Sequence, residues 1–256
     1  MSLRSDTTPA GDRDLTAIWD ATRSRVTSLV TEHALDTDGA AGGDAAVATV
    51  PGATVRDVVG HLIGVATKAA EAPDALRGEA ITPPSTGAAP RGAAVADLLA
   101  AWTSAADQLS ALVASDSMPA VVLITDAVMC EHDLRATFDV PGCRDDAAVK
   151  VALDELAGRF SDRVAAAGLP PLRVTVEQWG TIIGSGPATS CLVADRFEFV
   201  RGMAGRRSAA EIGRWNWGTD PAPYLPVIAE VALPEQEVRE RDPRIPAHMR
   251  DREFVL

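Results

Sequence analysis

The chain is poor in aromatic residues. Phe, Trp and Tyr together make up 4% of its 256 residues, with a single tyrosine. Strand-rich barrels and sandwiches draw heavily on aromatic and β-branched side chains, so this scarcity, beside abundant Ala, Val and Leu, favours closely packed helices. Lysine is also nearly missing. Lys68 and Lys150 stand against 22 arginines, and acidic residues exceed basic ones to leave a net charge of −12 and a pI near 4.7. A nucleic-acid backbone or an anionic membrane surface would be repelled, so both are excluded as partners. No apolar run reaches the ~20 residues that a bilayer span requires. The polar stretch from Met1 to Asp14 lacks the apolar core of a signal peptide, and the expected location is cytoplasmic. The three cysteines, Cys130, Cys143 and Cys191, are an odd number in such a chain and argue for free thiols rather than a disulfide framework.

Four helical stripes are present in the first half. Leu15, Ile18, Trp19, Thr22, Val26, Leu29 and Val30 recur at helical spacing, followed by a Gly- and Ala-rich loop from Asp38 to Gly52. Thr54 and Asp57 form a capping-box pattern that opens a second helix running to about Glu71. A connecting segment with Pro and Gly follows from Pro73 to Arg91. A third helix spans roughly Ala93 to Ala114, and a fourth runs from near Pro119 to about Phe138. Four inward stripes predict a helix bundle over residues 12–142.

Beyond Cys143 the pattern changes. Asp146 to Ala167 is helical, Leu172 to Trp179 alternates like one strand, and Gly180–Gly184 and Thr189–Val193 follow as short strand-like runs. Asp195 to Met203 is a helix closed by Gly205, and Ser208 with Glu211 caps another. Residues 143–233 thus form a small α+β domain. The tail 234–256, charged and proline-containing, is expected to lie extended over the surface or across a partner subunit.

Metal-ligand chemistry is concentrated on two helices. His61 borders the apolar stripe of the second, and Asp126, Cys130 and Asp133 recur at i, i+4 and i+7 on one face of the fourth. Carboxylate, thiolate and imidazole suit a borderline metal such as zinc, and three ligands leave a coordination position open. Glu131 and His132 fall off that face and are expected beside the ligands or on the surface. Asp133 either orients a ligand or pairs with Arg135 or Arg56. His33 and His248 sit in polar segments and are expected to be solvated.

Three ordered segments carry a resemblance: Thr54-Val-Arg-Asp-Val-Val-Gly-His61-Leu62, Asp126-Ala-Val-Met-Cys130-Glu-His-Asp133-Leu-Arg135, and Asp195 through Arg201 and Gly205 to Ser208. With these, over roughly Leu15 to Leu225, the chain resembles the mycothiol-dependent maleylpyruvate isomerase family of actinobacteria, within the DinB-like metal-binding bundles. The resemblance implies an α+β protein: a DinB-like four-helix bundle that holds a divalent metal, usually zinc, followed by a sterol-carrier-like α+β domain. It places the ligands at His61, Asp126 and Cys130, where the family has histidine, glutamate or another acid, and histidine. Cys130 is the departure, either a thiolate ligand or an apolar filler of a degenerate site. The implied function is isomerisation or S-transfer on a small electrophile with mycothiol as thiol co-substrate. The alternative is a non-catalytic binding or dimerising module, and a homodimer is compatible with either. Arg201 and Arg206, with Arg207, could hold a carboxylate of substrate or thiol, or could simply complement a helix C-terminus. Trp179, Trp215, Trp217 and Tyr224 are expected in the core or at the domain boundary.

Overall fold

The computed structural model describes residues 13–35, 42–76, 79–90, 92–115, 117–238 and 240–245. Helix α1 (Leu15–Val30) starts where the Asp14 carboxylate accepts from the Ala17 amide, and it runs on into a π-helical turn at Thr31–Leu35. Helix α2 (Val55–Glu71) begins with both halves of the Thr54–Asp57 capping box in place. Helices α3 (Val95–Ser115) and α4 (Ser117–Thr137) complete a bundle in which α1 packs on α3 and α4, and α2 packs on α3 and α4.

Helix α5 (Ala147–Ala166), capped by Asp146, packs against α1 and α4 on one side and against the later elements on the other. Those elements are strands β1 (Leu172–Val176), β2 (Trp179–Ile183) and β3 (Ser190–Val193), helices α6 (Arg196–Met203) and α7 (Ala209–Gly213), and a two-residue strand β4 (Asn216–Trp217). The sheet order is β2-β1-β3-β4; β1 pairs antiparallel with β2 and parallel with β3, and β3 pairs antiparallel with β4. Leu172, Val174, Val176, Ile183 and Leu192 form the buried face, whereas Arg173, Ile182, Cys191 and Val193 point outward. The α+β architecture is therefore present in the expected order.

The alternating run Leu172–Trp179 is two strands rather than one. Glu177 takes a left-handed conformation, φ 49°, and turns the chain so that Val176 faces Trp179 in a hairpin. The alternation continues through the turn, which is why period alone does not expose it. No helix among the described residues is long and apolar enough to cross a membrane.

Helix α4 differs from its neighbours in having almost no polar face. Every residue from Pro119 to Leu134 is buried, apart from the half-buried Val121. Yet it carries Asp126, Glu131, His132 and Asp133, and charges so placed need partners. Glu131 takes Arg25 of α1 at 2.9 Å and Arg135 at 2.8 Å. His132 packs edge-on against Phe197, with ring centroids 4.6 Å apart. Neither residue is on the surface, and a central helix has no surface to offer. His33 is half-buried against the Phe138 ring rather than freely solvated, and His248 lies outside the described residues.

Candidate metal centre

The close packing of α2 on α4 sets His61 opposite Asp126, with His61 Nε2 2.9 Å from Asp126 Oδ1. Cys130 lies one turn further along α4, and one donor atom from each of the three lies within 4.8 Å of the others. Tetrahedral bonds of about 2.0–2.3 Å place donor atoms roughly 3.5 Å apart, so this cluster has the dimensions of a metal site. Asp126 Oδ2 is buried and has no hydrogen-bond partner among the described residues. A buried carboxylate oxygen left bare is costly, and a cation would satisfy it.

Charge around the cluster is uneven. Burial opposes a charged imidazolium, but the Asp126 charge and hydrogen bond outweigh it and raise His61 above the ordinary histidine range. Burial, reinforced by Asp126 and Asp133, pushes the Cys130 thiol well above its usual value. Arg206 acts in the other direction on both groups, so its guanidinium charge is felt at the cluster.

Asp133 does not join the three donors. Its Oδ1 accepts from Thr49 at 2.7 Å and from Arg201 at 2.6 Å, and its Oδ2 accepts from Arg206 at 3.0 Å. The two arginines outweigh burial and hold its carboxyl far below the usual range. Its partners are therefore not Arg135, which serves Glu131, or Arg56, which binds Asp44 at 2.8 Å. Arg201 and Arg206 are fully buried and both bind this interior carboxylate, Arg201 sharing itself with Glu240.

His61 and Asp126 open onto a cavity of about 290 Å³ whose walls include Gly60, Gly64, Leu76, Ile81 and Val122. Lys68 and Glu79, an ion pair, lie on the same wall. Volume on this scale suits a small molecule. The segment after Pro73 is thus a cavity wall as well as a connector. It is fastened by Gly87, whose amide donates to Asp57 at 2.7 Å. Gly60 lets it approach, since a Cβ there would stand 2.6 Å from the Ala89 amide nitrogen. Gly60 and Gly64, two costly glycines flanking His61 inside a helix, were the available sequence signal for a wall.

The sequence matches no family model and no curated protein. Among solved structures the chain is similar to the mycothiol-dependent maleylpyruvate isomerase, with TM-score 0.50 and 15% identity over 78% of this chain and 92% of that one. The chain has the fold of that enzyme. A histidine-to-alanine mutant of the same isomerase gives TM-score 0.49 at 14% identity, over 84% of this chain and 97% of that one. At such identity the likeness concerns the fold, and the chemistry rests on the residues described above.

Proposed function

We propose that this chain is a metal-dependent enzyme that uses a low-molecular-weight thiol, mycothiol by analogy with the isomerase whose fold it shares, to act on a small electrophile by isomerisation or S-transfer. The observation that carries the reading is the His61–Asp126–Cys130 cluster, with its bare buried oxygen and with His61 and Asp126 on the wall of a small-molecule cavity. His61, Asp126 and Cys130 would hold the ion, and zinc fits their mixed nitrogen, oxygen and sulfur donors. When bound, zinc lowers the pKa of a coordinated thiol and so supplies a thiolate at neutral pH.

The chain's own groups do the rest. His61 Nε2 and Asp126 Oδ1 are 2.9 Å apart and share a proton, whose place between them a bound ion would take. The walls of Leu76, Ile81 and Val122 exclude water around a bound molecule. Two ionised ligands would neutralise the ion, and the Arg206 charge, felt by both Asp126 and Cys130, favours their ionised forms.

Elemental analysis of protein purified without added metal is expected to find stoichiometric zinc, lost in His61→Ala and Asp126→Ala. Cobalt substitution is expected to give a sulfur-to-metal charge-transfer band that disappears in Cys130→Ser. Zinc retained in both alanine variants would overturn the ligand assignment. Thiol-dependent isomerisation of maleylpyruvate, compared between mycothiol and glutathione, tests the reaction. The full burial of Cys130 and its raised thiol pKa favour a second reading, a binding module whose metal site has decayed. Metal-free protein indifferent to chelator would select it.

A further inference from the structure

Arg201, Arg206 and Arg207 are three guanidinium groups buried side by side behind α4. Burying charges without partners is prohibitive, so the carboxylates that answer them define this part of the interior. Asp133 comes from α4 and Glu198 from α6, both on regular helices. Glu240 comes from elsewhere. It lies on a strap whose described residues, 234–238 and 240–245, have no regular secondary structure, yet its side chain is only 6% exposed. Its Oε1 accepts from Arg201 Nε at 2.7 Å, lies 2.6 Å from Arg201 Nη2, and accepts from Arg207 Nη1 at 3.0 Å. A carboxylate gripped by two planar guanidiniums is the arrangement by which proteins bind carboxylate ligands.

We propose that Arg201 and Arg207 form a carboxylate-binding site that the chain fills itself, with Glu240 as a tethered ligand that a small free carboxylate can replace. Beside it is a cavity of about 20 Å³ lined by His132, Arg144, Phe197, Glu240 and Arg241, with room on the scale of one solvent molecule. His132 Nε2 is buried there with no hydrogen-bond partner among the described residues. The receptor is therefore larger than the one carboxylate that occupies it. The strap is also held by Arg144, which donates to the Glu240 and Arg241 carbonyls at 3.3 and 3.0 Å, and by the Val238 amide, which donates to Glu211 at 3.1 Å; its outer ion pairs are exposed. Arg241 meets Asp139, which is 66% exposed, and Arg244, 54% exposed, meets Asp195 and Asp242. The tether presents Glu240 to the seat permanently, so a free acid gains access when the Glu240 carboxylate is removed.

Truncation supplies the test, because Glu240→Ala deletes a fragment with the heavy atoms of acetate. The variant is expected to lose about 10 °C in Tm, as a buried charge is left unanswered. Sodium acetate at ~0.1 M is expected to restore several degrees in a saturable way, beyond equimolar sodium chloride, with no comparable gain in the unaltered protein. Glu240→Gln fills the seat and is expected to show no acetate response. Should Glu240→Ala prove insoluble, refolding in acetate against chloride is the reading: recovery in acetate alone supports the site, and recovery in neither overturns it. Equal shifts from acetate and chloride, or equal shifts in variant and unaltered protein, likewise overturn it and leave Glu240 a fixed structural anion.

Discussion

Asp126 and Asp133 are two buried carboxylates on the same face of one helix, and they are treated in opposite ways. Asp133 is saturated, with a hydroxyl and two guanidiniums covering both of its oxygens. Asp126 has one oxygen on His61 and the other bare. A saturated charge holds elements together, here α4, α6 and the loop that carries Thr49. An unsaturated one stores an unmet demand for a cation or a proton at the edge of a cavity. Two turns of helix thus separate an anchor from a site, and each of the following measurements presses on that contrast.

The largest effect is expected at the anchor. Asp133→Ala leaves Arg206 without an anion and Arg201 with Glu240 alone, and removal of one partner from a buried ion network costs about 3–5 kcal/mol. Chemical denaturation of metal-free protein checks this. If Asp133→Ala and Asp126→Ala proved equally stable, the distinction between anchor and site would fail.

The acid limb of stability comes next. The Arg201 and Arg207 charges overcome burial and lower Glu240 from its ordinary 4.5 to about 2. A depressed folded-state value means that its stabilisation is fully present above pH 4.5 and is lost as pH falls toward 2. Asp133, held low by Arg206 and Arg201, loses its contribution in the same direction. Stability curves should therefore fall by a few kcal/mol (~3) across this window, and Glu240→Gln should flatten the fall. An unchanged slope in Glu240→Gln would show that other carboxylates control acid unfolding.

How much of this was legible beforehand depends on the range of the signal. The Thr54–Asp57 and Ser208–Glu211 capping boxes, the helix starts at Asp146 and Asp195 and the Gly205 stop involve neighbours in sequence, and each stands where its residues imply. Helical spacing put Asp126 and Cys130 on one face and His61 on the border of an apolar stripe, but their convergence was implied by the family resemblance rather than by spacing. What spacing could not show was the environment of α4. Glu131 and His132 suggest a wet face only if the helix has one, and the distant partners that make a dry one possible are Arg25 for Glu131 and Arg201 and Arg206 for Asp133. Glu240 was hidden for the same reason. A charged, proline-containing tail has the composition of a surface segment, and only the surplus of buried arginines requires one of its acids inside.

The smallest effect is expected where function is most at stake. Asp126→Asn keeps the shape of the side chain, removes a charge that has one partner, and relieves the cost of burying an ion. Metal-free stability should therefore change by less than about 1 kcal/mol. His61 should report the substitution instead, because the carboxylate that raises its pKa is gone, and its titration followed by NMR should move downward. Zinc uptake should fall together with that shift. A near-silent change in stability, paired with a large change in ion binding, is the signature of a residue kept for chemistry. Were Asp126→Asn to unfold the metal-free protein as Asp133→Ala does, Asp126 would be a second anchor, and the bare oxygen would need a partner other than a metal.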